Sequence, residues 1–251
     1  LAVTEFKLRF FGSFLGYLWQ LVRPVLLFGV LYVVFTQFVK VGGRVAFYPV
    51  VLLSNIVLFT FVQEGTGAVG SMVAHEGLVR KIHFPRMAIP VSVVLTAAFN
   101  LILNLGVVLA FAVASGVEPR LSWLEAPLLI ALLAMLVTGL AMLLSALYVR
   151  FRDIKPIWEV VLQAMFYATP VIYAIETISV SESIKHLLML NPVAAILQQF
   201  RHAVIDPNAP TAAAAAGGTP QLLIPLGILV FAMLLGFGVF NREAPRIAEE
   251  L

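Results

Sequence analysis

The chain has no cysteine, and charged residues make up only 12% of it. The first absence excludes disulfides and thiol chemistry. The second excludes an ordinary water-soluble domain, which needs about a quarter of its residues charged to cover its surface. No G-x-x-x-x-G-K-[ST] phosphate loop occurs, nor a G-x-S-x-G elbow or an H-E-x-x-H pair. ATP is therefore not held through such a loop, and these hydrolase and zinc chemistries are not encoded. His75, His83, His186 and His202 lack metal-ligand spacing, so they read as ordinary interfacial residues and no metal is expected. Along the long hydrophobic runs apolar and polar residues do not alternate, which argues against a closed barrel of strands.

What is present is mostly apolar: 61% hydrophobic residues and a mean hydropathy of +1.02. A helix needs about 20 such residues to cross the hydrocarbon core, and in lipid each backbone amide must find its partner internally. The expected fold is an all-α integral membrane protein, one transmembrane domain over residues 1–251, with about six transmembrane helices. Their expected positions are 22–39, 49–62 with a continuation to about 70, 87–115, 126–149, 157–174 and 222–240. An even number places both termini on one side. Lys7, Arg9, Arg23, Arg80, Lys81, Arg86, Arg150, Arg152, Lys155, Arg242 and Arg246 fall on that side, which is 11 of the 16 basic residues. Lys40, Arg44, Arg120, Lys185 and Arg201 fall on the other. The positive-inside rule makes the terminal side cytoplasmic. The net charge of +3 is scattered between apolar runs rather than gathered in a stripe, so no nucleic-acid partner is expected. The chain starts at Leu1 rather than Met, so a short preceding piece is expected, and no cleavage site marks a signal peptide.

Two regions outside the spans carry structure. Residues 4–20, TEFKLRFFGSFLGYLWQ, suit an interfacial helix, with Lys7 and Arg9 reaching headgroups and Gly12 and Gly16 allowing close approach of another helix; a frayed pre-span helix is the plainer reading. Residues 175–204 carry helical spacing broken at Asn191-Pro192, where the Pro marks a helix start, and each piece is too short to span. Shallow or re-entrant external helices are expected there, followed by a flexible low-complexity loop at 206–221.

Polar residues inside spans are costly and therefore informative. Asn100 and Asn104 share a helix face, as do Glu159 and Gln163, while Gln63 and Glu64 end the second run. They are either interhelical hydrogen-bonding groups or a polar seam along a translocation path. Phe166, Tyr167 and Tyr173, beside the Glu159/Gln163 region, are candidates for stacking on sugar rings along that path. Between the second and third runs lies HEGLVRKIHFPRMAIP, a short basic segment over which residues 73–82 form a helix that Phe84-Pro85 ends. It is either a positive-inside anchor or a docking knob, offering Leu78, Val79 and Ile82 ringed by Glu76, Arg80 and Lys81.

GLVRKIHFPRMAIP resembles the N-L-I-[KR]-K-x-x-F-P-R-x-x-x-P stretch of type-2 ABC exporter permeases, which export polysaccharides, O-antigen, teichoic acid and related glycans. FGSFLGYLWQLVRPVL (11–26) is similar to their L-G-x-x-W-x-x-x-x-P segment, and YVRFRDI (148–154) to their Y-R-D-[IL] loop. ATPVIY (168–173) and LNPVAAILQQFR (190–201) resemble the P-[VI]-x-Y and N-P-x-x-x-x-x-x-x-R segments. Gly77 stands where Asn is common, and Phe151 is an extra residue between Arg150 and Arg152-Asp153.

The resemblance implies a half-transporter of a bacterial or archaeal plasma membrane: a homodimer around a central path, with two ATPase subunits docked beneath. It implies no cofactor on this chain, with ATP and Mg on the partner subunit. Glu76, Leu78, Val79, Arg80, Lys81 and Ile82, within the 73–84 region, would form the coupling helix. The cargo would be a polyprenyl-diphosphate-linked glycan drawn from the membrane lipid, with Lys7, Arg9 and Arg23 as candidates for its headgroup. A drug or small-lipid exporter is the nearest alternative. An integral-membrane enzyme acting on polyprenyl lipids is a second, for which Glu159 with Asp153 is a thin set of groups.

Overall fold

The apolar runs fold as helices, and no strand occurs among the described residues. The computed structural model describes residues 18–38, 45–74 and 85–250, with the side chains of the last helix as far as Glu243. In chain order the helices are α1 (Leu18–Val33, extended by a π-helical turn Val34–Phe38), α2 (Tyr48–Thr66), α3 (Ala88–Ala114), α4 (Glu125–Arg150) and α5 (Ile154–Ala168). There follow α6 (Glu182–Met189), α7 (Pro192–Phe200), α8 (Ala212–Ala216) and α9 (Leu223–Glu250). The expected interfacial helix lies outside the described residues apart from Leu18–Gln20, which open α1. So does the basic segment beyond Ala74.

Among the described residues, five helical stretches are long and apolar enough to cross a bilayer: Leu18–Phe38, Tyr48–Ala74, Ala88–Ala114, Leu121–Arg150 and Thr219–Glu243. The second runs past Gln63 and Glu64, which hydropathy had placed at its end. A 3-10 turn Gly67–Gly70 and a last turn Ser71–Ala74 carry it on, so Glu64 sits inside the span. α2 is apolar all round and accordingly central, with Leu52, Ile56, Leu58 and Phe59 essentially inaccessible.

The expected span at 157–174 is shorter than read. α5 has 15 residues and ends at Thr169, whose ψ is 145°. Pro170 is the cause, because it disfavours the helical conformation in the residue before it. At 1.5 Å per residue α5 covers only about 22 Å of a core about 30 Å thick. The rest of the crossing is made by turns of non-helical chain whose carbonyls are satisfied inside the protein. Asn55 Nδ2 donates to the Pro170 and Val171 carbonyls at 3.0 and 3.2 Å. Tyr48 Oη donates to the Ile172 carbonyl at 2.8 Å. Non-helical backbone is tolerated at membrane depth only when buried this way.

α4 and α9 show that the chain does cross there. They run parallel: Leu129 shares a groove with Leu226 and Leu229, Gly139 faces Met233 and Gly236, and Met142 and Val149 pack with Phe240. Two neighbours running the same way require a return crossing between them. Where they meet, a Cβ on Gly139 would lie 2.6 Å from Met233 Cα, and one on Gly236 would strike the Gly139 carbonyl, so glycine lets the backbones come together.

On the far side, α6 and α7 are the expected short helices. Asn191 Oδ1 accepts from Val193 N at 3.0 Å and Pro192 opens α7, pairing a side-chain cap with a proline that needs no donor. Residues Pro192–Gln198 are all buried. The segment 206–221, expected as a flexible loop, contains α8, whose Ala212 and Ala216 are buried. Thr211 Oγ1 caps it by accepting from Ala214 N at 3.1 Å. It is pinned to α7 as Gln198 Nε2 donates to the Pro210 carbonyl at 2.6 Å and Gln199 Oε1 accepts from Ala212 N at 3.1 Å.

Candidate functional site

Part of the polar residues of the spans gather beside α1. Pro24 lies inside this helix and has no amide hydrogen, so the carbonyl of Gln20, four residues earlier, loses its helical donor. Asn104 of α3 supplies the replacement, its Nδ2 donating to the Gln20 carbonyl at 3.3 Å and to the Asn100 carbonyl at 2.9 Å. Asn100 Nδ2 in turn donates to Glu64 Oε2 at 2.7 Å. Asn100 is only 3% exposed, and its Oδ1 has no partner among the described residues. The two asparagines thus do interhelical work on the face where they were expected, and their partners are the Gln20 carbonyl and Glu64.

Between α1, α2 and α3 a cavity of about 950 Å³ opens against these groups, walled by Arg23 on one side and Thr60, Gln63 and Glu64 on the other, with Thr96 from α3. Arg23 is exposed and has no hydrogen bond or ion pair among the described residues. The depth is unusual for charge. Asn100 is the 13th of the 27 residues of α3, and Glu64 the 17th of the 27 in Tyr48–Ala74.

Glu159 and Gln163 lie elsewhere, on α5, where no residue is buried. No hydrogen bond joins them to Asn100 or Asn104 among the described residues. One to two turns further on the aromatic candidates come together. Phe166 meets Phe59 and Tyr167 edge-on, with ring centroids 5.3 and 5.4 Å apart. Tyr173 Oη donates to the Tyr167 and Ala168 carbonyls at 3.4 and 3.3 Å, closing the end of α5. Of the headgroup candidates only Arg23 is described; Lys7 and Arg9 lie outside the described residues. The same holds for Glu76, Leu78, Val79, Arg80, Lys81 and Ile82.

One charged cluster had not been anticipated. Arg201, 3% exposed, is held in a fork by Glu176, with Nη1 donating to Oε2 at 3.0 Å and Nη2 to Oε1 at 2.6 Å. Asp206 Oδ2 lies 3.9 Å away. The pair ties the turn after α5 to the π-helical turn Arg201–Ile205 that ends α7. Its signal in the sequence is an arginine closing the apolar run PVAAILQQF, since a cation so placed needs an anion. On α6 the Lys185 ammonium, 2.9 Å from Glu182 Oε1, holds that exposed carboxyl below its ordinary range. No cluster of His, Cys, Asp or Glu suited to a metal occurs among the described residues.

A helical, multi-pass membrane protein with a cavity that carries charged and polar side chains between its helices, and short helices folded back at one end, is the architecture of a transport protein. Residues 1–205 match the family described as ABC-2 type transporter, and the chain belongs to that family. It is therefore a membrane subunit of a transporter rather than an enzyme, and it works with an ATP-binding subunit. Among curated proteins it is similar to two named O-antigen export system permease protein RfbA from Klebsiella pneumoniae. These are 28% and 29% identical, each over 98% of this chain and 92% of the relative. A protein of the same name from Myxococcus xanthus is 28% identical over 100% of this chain and 94% of its own length.

Proposed function

We propose that the chain is the permease subunit of an ATP-driven exporter that carries a lipid-linked polysaccharide of the O-antigen kind outward across a plasma membrane. The observation that carries this is end-to-end similarity to three O-antigen export permeases. Two copies pair, and two ATPase subunits holding ATP and Mg dock on the cytoplasmic side, where both termini lie. The pairing is supported by helices that their own chain leaves bare. None of the residues of α5 is buried, and only 6% of the most apolar window of Leu18–Phe38 is. α5 nevertheless carries Glu159 and Gln163, which are expensive against lipid and suited to a lined path. Glu76, Leu78, Val79, Arg80, Lys81 and Ile82 form the coupling helix, and Lys7 and Arg9 flank the cytoplasmic mouth; sequence alone supports these assignments.

The test is co-purification in mild detergent followed by reconstitution. A soluble subunit bearing a phosphate loop should be recovered in equal amount. Its ATP hydrolysis should rise with a polyprenyl-diphosphate-linked glycan and not with a panel of cationic drugs. Stimulation by the drugs alone would replace the cargo, and repeated failure to recover an ATPase would overturn the exporter reading.

A further inference from the structure

We infer that the cavity between α1, α2 and α3 is a binding site for a phosphate that carries neighbouring hydroxyl groups, with Arg23 taking the phosphate and Glu64 the hydroxyls. This rests on the exporter reading for its source of ligand but not for its chemistry. Two unlike charges face one cavity of about 950 Å³ inside the membrane-spanning part of the fold. In so apolar a setting a guanidinium and a carboxylate that could touch would pair, because each alone is costly. They do not: no ion pair joins Arg23 to Glu64, and Glu64 is instead fixed from behind by Asn100 Nδ2 at 2.7 Å.

The space between them suits a molecule with an anionic end for Arg23 and hydroxyl donors for Glu64. Arg23 matches phosphate because its planar fork donates to two oxygens at once. Glu64, with one oxygen engaged by Asn100, keeps its other oxygen to accept from a hydroxyl, and the Gln63 amide beside it both donates and accepts. Thr60 and Thr96 add hydroxyls on the same walls, the first donating to the Ile56 carbonyl at 2.8 Å and so left as an acceptor toward the cavity. Leu27 and Val93 supply apolar wall beside these groups. A diphosphate-linked sugar has this chemistry. So does phosphatidylglycerol, whose glycerol hydroxyls follow its phosphate.

The experiment uses the permease with its ATPase partner in nanodiscs of zwitterionic lipid, and measures binding of three probes. These are polyprenyl diphosphate bearing one N-acetylglucosamine, the same lipid without sugar, and phosphatidylglycerol. R23Q should weaken both polyprenyl lipids about tenfold, and E64Q should weaken only the sugar-bearing one by about tenfold, as loss of one charge-assisted hydrogen bond does. Glutamine at 64 still accepts from Asn100, so folding is preserved. V93F, which narrows the cavity and leaves both charges in the chain, should reduce the discrimination between the two lipids and serves as the independent variant. Wild-type binding in both charge variants, or equal losses of the two polyprenyl lipids in E64Q, would overturn the assignment. If phosphatidylglycerol alone shows the dependence on both residues, the site stands and it is the glycan cargo that fails.

Discussion

Arg201 is where a single residue carries the most structure. Its guanidinium is buried and forked onto Glu176, with Asp206 behind, so removing it strands two carboxylates beside α7. Arg201→Met should destabilise the protein by about 3 kcal/mol, the lower end for a broken buried ion pair, because the Glu176 side chain is itself 37% exposed. Adding Glu176→Gln should recover part of the loss, and unfolding midpoints in detergent would read both. A midpoint within a degree of wild type for the single variant would mean the fork holds nothing. At this scale the sequence was half legible. The arginine was visible in LNPVAAILQQFR, but Glu176 is 25 positions away and nothing local points to it. The same holds for glycine: Gly12 and Gly16 drew attention by their spacing, whereas the contact that brings two described helices together uses Gly139 and Gly236, nearly a hundred residues apart.

Helices are legible where hydropathy and backbone chemistry agree. The runs read at 87–115 and 126–149 are the helices Ala88–Ala114 and Glu125–Arg150, because nothing in them interrupts the ladder of amides. The run at 157–174 fails because Thr169-Pro170-Val171 is as apolar as a helix while its proline forbids one. Hydropathy also cannot register that Asn55 and Tyr48 stand ready to satisfy the freed carbonyls. Pro24 poses the same problem and α3 answers it through Asn104. Asn104→Leu leaves the Gln20 carbonyl bare and should cost about 1–3 kcal/mol. Pro24→Ala restores the donor within α1, so in that background Asn104→Leu should cost much less. A double-mutant cycle on thermal unfolding measures the coupling. Additive effects would show that Asn104 stabilises α3 itself rather than supplying the donor that Pro24 removes from α1.

For the whole molecule, the deciding quantity is what covers α1 and α5. A monomer would leave Glu159 and Gln163 against lipid on a helix with no buried residue, whereas a second copy converts the same face into a wall of the path. The absence of cysteine makes this directly measurable, since any introduced thiol is the only one in the chain. Cysteines placed singly at Ile157, Val160, Gln163 and Ala164 should cross-link two copies in native membranes with a short bifunctional reagent. Yields should follow the 3.6-residue period of a helix meeting its counterpart. A cysteine at Leu128, equally exposed but on α4, should not cross-link. Adding the ATPase partner with a non-hydrolysable nucleotide should change which positions react, because closure of the subunits beneath moves the helices above. Uniform low yields at all four α5 positions would mean that the copies meet elsewhere. The polar face of α5 would then belong to an interface with a different chain.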